Sequence, residues 1–219
     1  MKVLAMAMAL PCLTVTSRAA TVTTSLQWDV VSGYVPDNDP AGWKDLRNVN
    51  LDITRIDSLQ VHLEIEGGWN GDLFAYIRHG DGFSVLLNRV GTTDENGAGS
   101  NQSGFDVTFS DSASRDIHTY SGGIFSGNFM PDARISNPET VTNLSPRTEF
   151  LSSFNGLDPN GQWTLFVADM AAMDQARVVS WGITVTQGMA VPEPTSAAAV
   201  GLPLLLLGGV VFRRNRKTR

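Results

Sequence analysis

The stretch IDSLQVHLEIEG, residues 56–67, puts Leu59, Val61, Leu63 and Ile65 on one side of an extended chain and Gln60, His62 and Glu64 on the other. Alternation of this kind fits a half-buried β-strand and not an amphipathic helix, whose apolar positions recur at helical spacing. The segment GDLFAYIRHGDGFSVLLNRVG, residues 71–91, reads as strand, turn and strand, because His79-Gly80-Asp81-Gly82 joins two apolar runs with residues that tolerate positive φ. Short β-rich runs bounded by Gly, Asn, Asp or Pro recur in SGFDVTFSDSA, GQWTLFVADMA and RVVSWGITVTQ, and TVTTSLQWDVV supplies a first strand. Many short strands between turn clusters predict an all-β chain, an antiparallel β-sandwich of jelly-roll type. Residues 112–148 are loop-rich, with Gly122, Gly123, Gly127, Pro131, Pro138 and Pro146, and predict no definite strand. ETVTNLSPRTEF predicts no more than a turn of helix or an irregular crossover.

The two ends of the chain use a different vocabulary. At the N-terminus Lys2 precedes an apolar stretch from Val3 to Val15, followed by the small residues Ser17, Ala19 and Ala20. This order predicts a secretory signal peptide, residues 1–20, cut near Ala20; Pro11 argues against a buried first helix. The single cysteine, Cys12, lies inside it and lacks the small preceding residue that lipidation requires. The processed chain then carries no disulfide, so its stability comes from the core or from bound metal.

At the C-terminus residues 197–212 are almost wholly apolar, interrupted by Pro203, Gly208 and Gly209 and short of the ~20 residues of a full membrane span. Arg213, Arg214, Arg216, Lys217 and Arg219 follow directly and hold that end in the cytoplasm, leaving the body outside. Immediately before the span, Pro192-Glu193-Pro194 keeps the backbone extended and accessible. Pro-Glu-Pro, short span and Arg-rich end together resemble the PEP-CTERM sorting signal of exported bacterial proteins. The resemblance implies recognition by an exosortase, a membrane-embedded transpeptidase-like enzyme, with the chain anchored in the inner membrane before processing and then released or transferred to the surface. The expected organisation is a signal peptide over residues 1–20, an ectodomain over 21–190 and a sorting signal over 191–219.

Between Thr21 and Ala190 nine Lys/Arg face 21 Asp/Glu, a balance of −12. A body so acidic repels nucleic acid, which is excluded as a partner. In order along this body, YVPDNDPAG, the hairpin region around Gly71-Asp72-Leu73, the run FLSSFNGLDPNGQWTLFVAD and the final SWGITV resemble the P/Homo B domain, the β-sandwich that follows the catalytic domain of kexin-like proprotein convertases. Gly68-Trp69 stands where many members carry His-Thr, and Gln175-Ala176-Arg177 replaces a usual glycine before the last strand. The resemblance implies a domain without catalytic residues of its own.

The residues agree with that expectation. His62, His79 and His118 form no His-x-x-x-His or HExxH pattern, no cysteine pair accompanies them, and no Gly-x-Ser-x-Gly elbow occurs. The many acids leave open a carboxylate pair suited to glycoside hydrolysis. Calcium is the favoured cofactor, through Asp37, Asp39, Asp72, Asp169 and Asp174, because loops of a disulfide-free acidic domain can be held by oxygen ligands on a hard cation. No EF-hand loop is present, and the same aspartates equally suit turn and loop hydrogen bonds. Trp163 and Trp181 belong to apolar runs and predict core, whereas Trp69 in EGGWNGD either stacks on a sugar or covers one end of the fold. The sequons at Asn101 and Asn143 carry no weight in a bacterial setting. The expected function is that of a non-enzymatic, exported, exosortase-sorted surface or extracellular-matrix protein with a structural or adhesive role, its partners being extracellular polysaccharide or envelope proteins. A carbohydrate-binding module is the alternative, marked by an exposed aromatic strip; a secreted hydrolase is the third, marked by convergent carboxylates in a cleft.

Overall fold

A computed structural model describes residues 20–189, and within them the chain is all-β. The sorting motif Pro192-Glu193-Pro194, the membrane helix, the Arg-rich end and the signal peptide before Ala20 lie outside the described residues. Among the described residues no helix is long and apolar enough to cross a membrane. The strands are β1 (Thr21–Asp29), β2 (Asp39–Val49), β3 (Ser58–Gly67), β4 (Leu73–His79), β5 (Gly82–Asn88), β6 (Phe105–Phe109), β7 (Phe125–Phe129), β8 (Gly161–Asp169) and β9 (Ala176–Gly188). They form a five-stranded sheet in the order β1-β9-β3-β6-β7 and a four-stranded sheet in the order β2-β8-β4-β5. Every pairing is antiparallel except β6 with β7.

The alternation read from residues 56–67 is realised: Leu59, Val61, Leu63 and Ile65 are buried, while Gln60 is exposed and His62 and Glu64 are half-buried. The inner residues of both sheets belong to one apolar cluster, which includes Leu73, Ile77, Trp163 and Leu165 from the smaller sheet and Val61, Leu63, Trp181 and Ile183 from the larger. Both core tryptophans are fully buried, and each indole N–H is satisfied, Trp163 donating to Pro159 O (2.8 Å) and Trp181 to an Asp45 carboxylate oxygen (2.8 Å). The second bond ties β9 of one sheet to β2 of the other.

Two strands escaped the sequence reading. β7 lies in the segment read as loop; it is short, carries Gly127 at φ 92°, and reaches its place only by lying parallel to β6. β2 shows no apolar alternation because two of its inward positions are Asp45 and Arg47, half-buried and paired at 2.6 Å. The rest of 112–148 is irregular yet firmly held. His118, Asp132 and Arg134 are buried; a His118 ring nitrogen lies 2.7 Å from Asp132, and Arg134 reaches Asp132 at 3.1 Å and Asp116 at 3.0 Å. Burial opposes the Arg134 charge, but the bonds to Asp116 and Asp132 outweigh it and raise its pKa.

Thr21 and Gly188 are register partners, so the first and last strands begin and end together at one edge of the larger sheet. There the Asp57 carboxylate accepts the Gly188 N–H at 2.5 Å and is also held by Arg55, which keeps its pKa below the ordinary range.

Candidate functional site

The opposite end of the strands gathers the aspartates. Asp169, the last residue of β8, is register partner of Asp39 on β2 and of Leu73 on β4, next to Asp72. Asp72 closes a 3-10 turn over Asn70–Asp72, and its carbonyl accepts the N–H of Met170 at 2.8 Å. Asp37 accepts the N–H of Met173 at 3.3 Å, and Met173 and Asp174 both take positive φ (92° and 74°) in the loop that returns to β9. Asp39 differs: its carboxylate accepts the N–H of Ala41 two residues on, at 2.9 Å, the Asx-turn use of an aspartate. Sheet register thus brings Asp37, Asp72, Asp169 and Asp174 into one electrostatic neighbourhood, with Asp39 beside them by backbone only.

Arg89 completes the site and was not anticipated from sequence. It leaves β5 at φ 50°, donates to Gly71 O (2.9 Å) and Gly97 O (3.1 Å), and lies 3.5 Å from the Asp72 carboxylate. Asp169 is 1% exposed; one carboxylate oxygen accepts the Ala171 N–H at 3.2 Å, and the other is buried with no hydrogen-bond partner. Burial pushes the Asp169 pKa up to about 6; the Ala171 N–H opposes this, Asp72 and Asp37 add to it, and Arg89 lowers it. Burial likewise raises Asp72, against Arg89, with Asp174 and Asp37 adding to the rise. An orphaned carboxylate oxygen amid like charges is the chemistry a hard cation would relieve. Among the described residues, however, no three His, Cys, Asp or Glu groups stand close enough to hold a metal ion.

Other candidate chemistry is spoken for structurally. His79 stacks on Trp163 at 4.4 Å and spans Gln162 O and Asp158 O (2.9 and 2.7 Å), fixing the loop before β8. Thr92, His118 and Asp132 stand in a row like that of a hydrolytic triad, with Thr92 Oγ1 3.4 Å from the His118 ring, but all three are buried and the Thr92 hydroxyl donates to Val141 O at 2.9 Å. A hollow of about 300 Å³ between β3, β6 and β7 is lined by Glu64, Glu66 and Asp106 together with Ile124. Its two glutamates are already engaged, Glu66 by Arg177 at 2.7 Å and Glu64 by the Ser180 hydroxyl at 2.9 Å. Trp69 is half-buried, and its indole nitrogen is buried without a hydrogen-bond partner among the described residues.

A second surface emerges on the outer face of the smaller sheet. Phe74 and Tyr76 on β4, Phe83 on β5 and Phe166 on β8 are half-buried and alternate with the core positions. Tyr76 is their centre, 4.8 Å from Phe166, 5.2 Å from Phe83 and 6.1 Å from Phe74. Beside them stand exposed Lys44, opposite Phe166, and exposed Arg78, opposite Phe83.

The raised Asp169 pKa has a directional consequence. The folded state holds this proton more tightly than the unfolded chain, whose Asp titrates near ~3.9, so the group costs no stability below about pH 4 and its full penalty is present above about pH 6. In excess chelator, Asp169→Asn should therefore be the more stable form above about pH 6, by on the order of 2–3 kcal/mol, and the gap should close toward about pH 4. Urea midpoints of both forms across that range test this; an Asn variant less stable than the parent at neutral pH would show that the carboxylate is needed in its charged form.

No family model matches the chain, and no curated protein matches it. Among solved structures, it is similar to the serine protease of Aeromonas sobria in complex with the chaperone (12% identity, TM-score 0.44, 78% of this chain and 28% of that one) and to the protease alone (12% identity, TM-score 0.43, 76% and 27%). The chain thus spans little more than a quarter of the length of those proteins. Likeness at this level carries no conclusion about activity.

Proposed function

We propose that this is an exported, exosortase-sorted surface or extracellular-matrix protein whose ectodomain, a jelly-roll-like β-sandwich of P/Homo B type, has a structural or adhesive role and no catalysis of its own. The observation that carries the reading is the coincidence of boundaries. The compact unit runs from Thr21 to Met189, its first strand starting directly after the expected cleavage site at Ala20 and its last ending just before Pro192-Glu193-Pro194. A compact unit bounded by the two expected signals is suited to removal of both. Replacing Pro192, Glu193 and Pro194 together with Ala should leave an uncleaved, membrane-retained precursor in the producing cell. Unchanged processing by mass spectrometry would rule the motif out as the recognition element.

Calcium belongs to the same reading, held at the Asp37, Asp72, Asp169 and Asp174 end and stabilising the loops between strands. The orphaned Asp169 oxygen is what favours it. Because the carboxylates do not yet converge on one point, a bound ion has to draw the loop aspartates inward. Ligand binding to the folded state alone raises the melting temperature by mass action. Millimolar calcium should therefore raise it above its value in chelator, magnesium should raise it less, and Asp169→Asn should abolish the calcium-specific gain. Equal melting temperatures with calcium and with chelator would assign these aspartates to turns.

The aromatic cluster around Tyr76 favours a second reading, a carbohydrate-binding face. Aromatic rings flanked by hydrogen-bonding side chains suit a polysaccharide, and Lys44 and Arg78 would favour an anionic one. On that reading Tyr76→Ala with Phe166→Ala loses at least about tenfold in affinity for an acidic polysaccharide such as alginate, measured in chelator on variants whose fold is verified by circular dichroism. Undiminished binding would leave the rings as cross-strand packing only.

A further inference from the structure

Two sheets have four edges, and among the described residues three are visibly guarded. The open side of β7 is closed by Arg115, whose guanidinium donates to Ser126 O and Asn128 O (3.4 and 3.1 Å) while lying 4.1 Å from the Phe129 ring centre. β5 is covered by the chain itself, with Val85 N donating to Glu149 O, Ala133 N to Val85 O and Asp132 N to Leu86 O. β2 carries Pro40, a register shift between Asp39 and Trp43, and the charges of Lys44, Asp45 and Arg47. Proline, bulges, charges and covering loops are the devices by which an edge avoids pairing with another chain.

β1 has none of them. It runs nine residues in unbroken register with β9, without proline or bulge, and its one charge is Asp29 at the end. Thr, Val, Leu and Trp give it high strand propensity. Among the described residues its backbone bonds only to β9, so its outer row of N–H and C=O groups is without a protein partner. Its inward residues Leu26 and Trp28 are only half-buried, and Val22 is 41% exposed.

We infer that β1 is a self-association edge that takes β1 of a second copy, antiparallel, about a two-fold axis through Ser25. The strand is self-complementary in that register. Val22 meets Trp28 and Thr24 meets Leu26 on the core side; Thr23 meets Gln27 and Ser25 meets itself on the outer side; Thr21 meets Asp29. No like charges oppose each other, and the β-branched and aromatic residues pair as cross-strand neighbours favour. The result is a continuous ten-stranded sheet with an isologous contact. The contact is small, below roughly 1,000 Å², so the pair is weak, with a dissociation constant on the order of 10–100 µM.

The polarity of the pair decides where it can form. Gly188 lies beside Thr21, so antiparallel β1 strands carry the two Gly188 ends to opposite ends of the joint, roughly 30 Å apart. With the tails leaving from opposite ends of the joint, released copies or copies on facing surfaces are placed to pair in this way. The pairing gives the adhesive role a physical form, yet it requires neither the sorting motif nor calcium.

The test uses the fragment Thr21–Met189, the compact unit that carries the apolar cluster of the described residues and lacks the chain's only cysteine, Cys12. Sedimentation velocity should show reversible dimers within about 10–500 µM. Ser25→Lys, which sets two ammonium groups face to face on the axis at an exposed position, should weaken dimerisation at least about tenfold. Under mild oxidation Ser25→Cys should form a disulfide-linked dimer, and Ser126→Cys, equally exposed but on β7, should not. A fragment that stays monomeric throughout, a dimer indifferent to Ser25→Lys, or equal cross-linking of the two cysteine variants would each overturn the inference. None of these outcomes bears on processing at Pro192-Glu193-Pro194, which is assayed in the full chain.

Discussion

Everything in this fold depends on closing two sheets over one apolar layer without a covalent staple. Trp163 and Trp181 sit on the interior strands β8 and β9 and fill that layer from either side, and their size makes a polar handle unavoidable. Burying an indole N–H without a partner costs more than a hydrogen bond returns, so each ring fixes something else as well. Trp163 fixes the Pro159 turn, and Trp181 fixes Asp45 and through it the Arg47 that covers Trp28. The two largest core residues therefore determine how β2, half-polar on its inner side, can belong to an apolar fold.

The irregular segment of the body is held by a different principle. Asp116, His118, Asp132, Arg134 and Arg147 link residues 110–150 to the β5 edge through charge-assisted bonds, and few of their polar atoms lack a partner. A satisfied network of this sort specifies one conformation, and Arg134, paired with both Asp116 and Asp132, is the member whose loss leaves the buried Asp132 without its guanidinium partner.

Strands with one wet face and one dry face were legible in the sequence because their alternation survives as composition: β3, β4, β8 and β9 are the examples. β2 was not, since Asp45 and Arg47 occupy inward positions, where they pair with each other and Asp45 accepts the indole N–H of Trp181, 136 positions away. β7 was not, since FSGNF has no signature apart from its neighbour β6. For the acidic end, residue type singled out five aspartates, while sheet register and the loops decided which of them lie in one electrostatic neighbourhood. Asp39 and Asp169 are partners by backbone, yet of the two only Asp169 has an oxygen that is both buried and without a partner. Arg89 had no sequence signal, because its role depends on a left-handed backbone step out of β5. The aromatic face around Tyr76 was written in the same runs, at the positions between Leu73, Ala75 and Ile77, where attention to the core passes over it.

The position of Gly188 also fixes how the domain would bear a load. Tension arriving through the tail enters at the end of β9, a thirteen-residue strand flanked by β1 on one side and β3 on the other. A pull along that strand, resisted from the acidic end, acts across its ladder bonds, so all of them share the strain at once rather than opening one after another. Thr21 and Asp57 grip the strand at the point where force enters. Because Thr21 and Gly188 lie side by side at one end of the larger sheet, a pull of this kind loads the ladder bonds of β9 in shear.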